Sequence, residues 1–149
     1  MPKNEMLEPT SDPLPEIVKA FIAGCIECDG HINLAIMPMG HVSGKVELAN
    51  MSLALLEYVQ KYSGGYICQV TSSGKKGKCY RLVVAKVRMY VKLLQEILPY
   101  LISKKEEGEI LLRYGLGTRY GQGGQHTISI EERYKMALRV RELHQGARP

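Results

Sequence analysis

Ala20-Phe21-Ile22-Ala23-Gly24-Cys25-Ile26-Glu27-Cys28-Asp29-Gly30 decides how the rest of the chain is read. Ala20, Gly24 and Cys28 recur every four positions, which on a helix stacks three small side chains along one face. Such a face lets a second helix backbone approach closely. Phe21, Ile22 and Ile26 occupy the remainder, so the helix is expected to be buried. The helix is expected to stop at Asp29-Gly30, because this is a turn dipeptide and Gly tolerates a positive φ. A tightly packed helix pair would then carry a carboxylate, Asp29, at its lower tip, an arrangement suited to a metal site where two helices meet.

Outward from this helix, expected over about Pro15 to Cys28, periodicity supplies the other elements. Ile32, Leu34 and Ile36 alternate with His31, Asn33, Ala35 and Met37, predicting a strand with one core face. Pro38 to His41 turns the chain into a returning strand, about Val42 to Ala49, with Val46 and Leu48 inward and Lys45 and Glu47 outward. Ser52 is positioned to cap a second helix reaching Tyr62, whose stripe is Leu53, Leu56 and Val59. Ser63-Gly64-Gly65 ends it. A second hairpin pairs about Tyr66–Thr71 with Cys79–Ala85 around a basic, glycine-rich loop, Ser72 to Lys78. A third helix runs from about Val87 to Ile102, bent near Pro99, and another helical segment follows to about Tyr114.

The flanks read differently. Residues 1–13 are expected to be a flexible leader and 115–128 a glycine-rich connector. The connector contains no Gly-Lys-Ser/Thr of a phosphate-binding loop. Ser129 with Glu132 makes a capping box that opens a last helix to about His144, basic through Arg133, Lys135, Arg139 and Arg141. Residues 129–149 are thus read as a basic helix and tail.

Two hairpins interleaved with helices predict an α+β fold: one four-stranded antiparallel sheet with helices on one face and an extra C-terminal helix. The other sheet face is left open, and a twisted sheet fits a DNA groove. At 149 residues and 45% hydrophobic, the chain is one domain or one subunit with ample core. A formal charge of +5 favours nucleic acid over acidic ligands. No apolar run is long enough to span a bilayer, and the N-terminus, with four prolines before Glu16, fits neither a signal nor a transit peptide. An intracellular, reducing compartment is expected, with Cys25, Cys28, Cys68 and Cys79 as free thiols. Cys25-x-x-Cys28 has zinc or redox spacing, but both residues lie within the helix and Cys68 and Cys79 supply no matching pair.

Ile22 to Gly30 resembles the nine-residue LAGLIDADG signature of the homing endonuclease family. Ala23, Gly24, Ile26, Asp29 and Gly30 match outright, Ile22 and Glu27 are conservative replacements, and Cys25 and Cys28 depart from it. The resemblance spans about residues 14–114 and implies an αββαββα layout and a metal-dependent DNA endonuclease. Phosphodiester cleavage needs a hard cation with oxygen ligands and charge relief at the leaving oxygen. Asp29 is the candidate metal ligand, with the Cys28 backbone carbonyl as a second oxygen at the helix end. The expected ion is Mg²⁺ or Mn²⁺, with Ca²⁺ binding but not supporting cleavage. Leu98 to Lys105 resembles the family segment that delivers a catalytic lysine, which places that role on Lys104, or on Lys105 if the register slips by one. Asn50 falls near the family's solvent-ordering polar residue, although an Asn before a helix is commonly a cap. His31 could join the same network.

The outward strand residues Asn33, Ala35, Met37, Lys45, Glu47, Tyr66, Cys68, Val70, Arg81 and Val83 are the candidate DNA readers. Arg81 and Lys45 suit guanine edges, Asn33 suits adenine, and Met37 or Val70 suit a thymine methyl. Several of these are apolar, which leaves the register of the third strand open. Lys75, Lys76 and Lys78 suit phosphates. Only one Asp-Gly occurs in the chain. Cutting both strands of a duplex therefore calls for a homodimer packed through Ala20, Gly24 and Cys28, acting on a long pseudo-palindromic double-stranded DNA. An RNA-splicing maturase and a non-catalytic DNA-binding protein are the alternatives on the same fold.

Overall fold

The computed structural model describes residues 5–70, 78–118 and 126–146. Helix α1 (Glu16–Asp29) leads directly into β1 (Gly30–Ile36), and β2 (Val42–Asn50) returns beside it. Then come α2 (Leu53–Ser63), β3 (Tyr66–Val70), β4 (Cys79–Val84), α3 (Val87–Ile97), a 3₁₀ turn (Leu98–Tyr100), α4 (Lys105–Leu116) and α5 (Ile130–His144). The sheet is antiparallel throughout, in the order β1-β2-β4-β3, so each hairpin supplies one edge strand. The expected α+β class and four-stranded sheet are what the chain adopts.

Local chemistry explains the boundaries. Ser52 caps α2 by accepting the Leu55 amide at 3.2 Å, and Ser129 caps α5 by accepting that of Glu132. Helix α2 ends at Gly64 and Gly65, whose φ values of 71° and 95° favour glycine. Pro99 sits in the 3₁₀ turn that separates α3 from α4. Ile26, Ile32, Leu34, Val46, Leu48, Leu56, Leu82, Leu94 and Leu111 form the centre of one core between sheet and helices.

Five expectations change. Gly30 takes no positive φ: it is extended, at φ −94°, and opens β1 without an intervening turn. Glycine is needed there because an added Cβ would lie 2.5 Å from the Ile26 Cα. Phe21 and Ile36 are not core residues but 43% and 42% exposed. Residues 7–13, expected to belong to a flexible leader, are fastened to the domain. Leu7 bridges Gly65, the Glu8 carboxylate pairs with Arg88 with one contact of 2.6 Å, and the Leu14 amide donates to Glu96 at 2.7 Å. The expected glycine connector begins inside α4, where Gly115 is required because a Cβ would lie 2.4 Å from Val91 Cγ2. Finally, α5 is an integral core element: Met136, Ala137, Val140 and Leu143 are buried. Its C-terminal end lies along the free edge of β1, where His144 Nε2 meets the Ile32 carbonyl at 2.9 Å.

Candidate functional site

The lower end of α1 gathers three residues from distant parts of the chain. Asp29 is the last residue of α1 and is exposed, as is Cys28 before it. Cys28 lies in the final turn, where helix carbonyls lack an intrahelical donor. Asn50, the last residue of β2, donates its side-chain amide to Asp29 Oδ2 at 3.1 Å. Its own Oδ1 accepts the Ser52 amide at 2.8 Å, a turn contact just before the α2 cap, so the side chain is held on one side by the backbone and on the other by Asp29. Gly30 pairs with Leu48 across the hairpin, which brings the end of β2 alongside the end of α1.

Lys104 reaches the same place from the other side. It precedes α4 and, far from being a solvated helix-end lysine, is 9% exposed. Its ammonium donates to the Ile26 carbonyl at 2.7 Å and the Gly30 carbonyl at 2.6 Å, straddling Asp29 in the sequence. A cation at a helix C-terminus is favoured by the helix dipole and the uncapped carbonyls. Lys105 is exposed and makes no such contact among the described residues.

Asp29 is a hard oxygen donor on an exposed helix end, and Asn50 orients it. No group of three or more His, Cys, Asp or Glu side chains forms a cage among the described residues. Mg²⁺ rarely requires one, since it binds through one or two carboxylates and keeps several waters. The donor set therefore fits that ion. The cysteines are free thiols. Burial pushes the Cys25 thiol up, reinforced by the negative charges of Asp29 and Cys28, so it is a poor zinc or redox ligand.

Strand pairing sorts the candidate readers by face. One cross-strand row is His31, Glu47, Val83 and Tyr66, another is Ala49, Arg81 and Cys68, and Asn33 stands beside Lys45. Ala35 pairs with Ser43, and Val70 with Cys79. The expected side assignment of β3 agrees with this register, since Ile67 is buried opposite Leu82. Val83 is a correction. It sits in an outward row, between Glu47 and Tyr66, yet is only 5% exposed, and it is not available as a reader. Glu47 lies between two cations, in contact with the Lys45 ammonium and with Arg81 Nε 3.9 Å away. Met37 lies beyond β1, in the turn, 38% exposed. Lys78 is exposed just before β4, whereas Lys75 and Lys76 lie outside the described residues. Sequence reasoning missed Ser43, Ala49 and Cys79 on the same face; extending the alternation to the strand ends would have found them.

His31 belongs to that face too. Its ring stacks on His144 at 4.3 Å, and burial, followed by the His144 charge, holds it below the usual imidazole range.

The small-residue face of α1 is open. Ala20, Gly24 and Cys28 are exposed, and an added Cβ at Gly24 would meet no atom within 4 Å. Ile17 beside it is 80% exposed. Ile17, Phe21, Leu55 and Tyr58 border a shallow apolar depression of about 310 Å³, where Phe21 meets Tyr58 edge to face at 5.5 Å.

No family model matches the chain. No curated protein matches it either. Solved structures do. The archaeal intron-encoded homing endonuclease I-Vdi141I, complexed with DNA, superposes with a TM-score of 0.68 at 19% identity, covering 86% of this chain and 84% of its own. The homing endonuclease I-CvuI, in complex with its target, gives a TM-score of 0.62 at 17% identity, covering 84% and 95%. The LAGLIDADG meganuclease I-AabMI, bound to uncleaved DNA, gives 0.52 at 22% identity, covering 66% of this chain and 36% of the meganuclease. No helix among the described residues is long and apolar enough to cross a membrane. With an αββαββα core, a single signature helix and these neighbours, the chain has the fold of the single-motif LAGLIDADG homing endonucleases.

Proposed function

We propose that the protein is a site-specific DNA endonuclease that acts as a twofold homodimer on long, pseudo-palindromic duplex sites with Mg²⁺. The observation that carries this reading is the convergence of Asp29, Asn50 and Lys104 at the end of α1, beside an open face of small residues. I-CvuI and I-Vdi141I are described as homing endonucleases in complex with their target or with DNA, which supports the same reading.

Each side chain then has a part. Asp29, with the Cys28 carbonyl, would hold the cation, and Asn50 fixes the carboxylate's orientation. The ion, when bound, supplies Lewis-acid charge relief and lowers the pKa of water. Lys104, anchored by two carbonyls, presents a fixed positive charge where negative charge develops on the phosphate. The open sheet face carries Asn33, Lys45 and Arg81 toward base edges, and Lys75, Lys76 and Lys78 suit the phosphate backbone. One chain offers one Asp29, so cutting two strands calls on the second copy. Ile17, Ala20, Phe21 and Gly24 form the apolar surface that this copy would cover.

Incubating the protein with Mg²⁺ and a randomised duplex library, then sequencing the cut ends, tests the reading directly. Cleavage at a recurring, near-palindromic sequence is expected. Asp29→Asn is expected to bind the recovered site and cut it at least about 100-fold more slowly, a loss near 2.7 kcal/mol of barrier. Mg²⁺-dependent cutting by this variant at the wild-type rate would show that Asp29 is not the metal ligand.

A further inference from the structure

Glu27 sits in the last turn of the signature helix, two residues before Asp29, and has no part in the mechanism above. Its carboxylate accepts the Ile102 amide at 2.7 Å, the Lys104 amide at 3.1 Å, the Ser103 amide at 3.2 Å and the Ser103 hydroxyl. Four donors from three consecutive residues converge on one side chain. These residues lie in the short link between the 3₁₀ turn and α4, where the backbone amides have no helical partners. Lys104 makes the return contact, its ammonium donating to the Ile26 and Gly30 carbonyls on either side of Glu27 and Asp29. The two elements are therefore clasped in both directions: a carboxylate on α1 holds the backbone of the lysine, and the lysine holds the backbone of α1.

We infer that Glu27 is the positioning residue for Lys104, setting where its ammonium stands relative to Asp29. The inference rests on the endonuclease reading and deepens it. The geometry separates it from an ordinary helix cap. Glu27 lies far from α4 in sequence, and all three amides that it binds belong to the segment bearing Lys104. A long, rotamer-rich lysine held only by its head group would place its charge over a range of positions. Fixing its backbone as well removes that freedom before substrate binds. The sheet face that would read DNA is untouched by this clasp, so its loss should appear in turnover and not in binding.

The test uses the full chain and the site recovered from the library. Single-turnover cleavage is measured with Mg²⁺, and the dissociation constant for the same duplex with Ca²⁺. Glu27→Gln replaces one acceptor oxygen with an amide that faces N–H donors. It should slow cleavage about 10- to 100-fold while the dissociation constant stays within about threefold. The discriminating step is a double-variant cycle. On a Lys104→Met background, Glu27→Gln should cost less than about twofold more, because there is no ammonium left to place. Ser103→Ala removes only the hydroxyl donor and should give a smaller loss of rate with unchanged binding; it serves if Glu27→Gln fails to fold. The inference is overturned by an undiminished loss on the Lys104→Met background, by a loss confined to binding, or by Ser103→Ala and any folded Glu27→Gln cutting at the wild-type rate. Failure of the underlying reading looks different: the wild-type protein itself would cut no duplex, and this inference would fall with it.

Discussion

Gly24→Leu is expected to move two measurements in opposite directions. In the isolated chain Gly24 lies mid-helix on an open face, with nothing within 4 Å of an added Cβ. A leucine there meets no clash and replaces a poor helix former, which should stabilise the monomer by about 0.5–1 kcal/mol. For a domain of this size that is a rise of roughly 2–4 °C per kcal/mol in the thermal midpoint. The proposed dimer presses this face against its copy, so two leucines would enter one close contact. Overpacking costs about 1–3 kcal/mol at each, or about 2–6 kcal/mol per dimer, weakening association roughly 30-fold to 10⁴-fold. Sedimentation equilibrium over a concentration series, with and without target duplex, reads the second effect, and thermal melting at a dilution where the variant is monomeric reads the first. Gly115→Ala is the control: its Cβ would lie 2.4 Å from Val91 Cγ2, so it should destabilise the monomer and leave association alone. A Gly24→Leu protein that dimerises as tightly as wild type would refute packing through this face. A wild-type protein that remains monomeric on its duplex would refute the dimer altogether.

Leu143→Ala should cost about 2–5 kcal/mol in urea unfolding with an unchanged m-value, because Leu143 on α5 is 1% exposed; a cost below about 0.5 kcal/mol would mean that α5 is not part of the core. His126 has burial as the first cause of a pKa below 6.5, then the Arg133 charge, and its Nδ1 accepts the Ile128 amide. The folded state thus favours the neutral ring, so its contribution is intact above the unfolded value of about 6.5 and is lost as pH falls through the lower folded value. His126→Gln should flatten the decline of the thermal midpoint below about pH 6.5, and an unchanged slope would assign that decline to other groups.

Much of this protein is local and so was legible along the chain. The alternation of Ile32 and Leu34, the caps at Ser52 and Ser129, and the stop at Ser63-Gly64-Gly65 each depend on residues a few positions apart. Asp29 and Lys104 stood out as chemistry through the resemblance of short segments to a family signature. Their meeting was not legible from periodicity, because residues 75 positions apart come together only when the link before α4 packs against the end of α1. Tertiary packing also decided what each feature is for. Gly30 proved to be a contact glycine against Ile26 instead of a positive-φ turn residue, and Gly115 a packing residue instead of part of a connector. Phe21 was turned to the surface, because α1 already buries Val18, Ile22, Ala23 and Ile26 on its opposite face. A sequence pattern reports which side chains share a face; only the packed molecule decides which faces meet protein and which are left for a partner. Glu27 shows the same limit at one residue. The signature includes it but does not say what it holds, and its four donors come together only where the link before α4 meets α1.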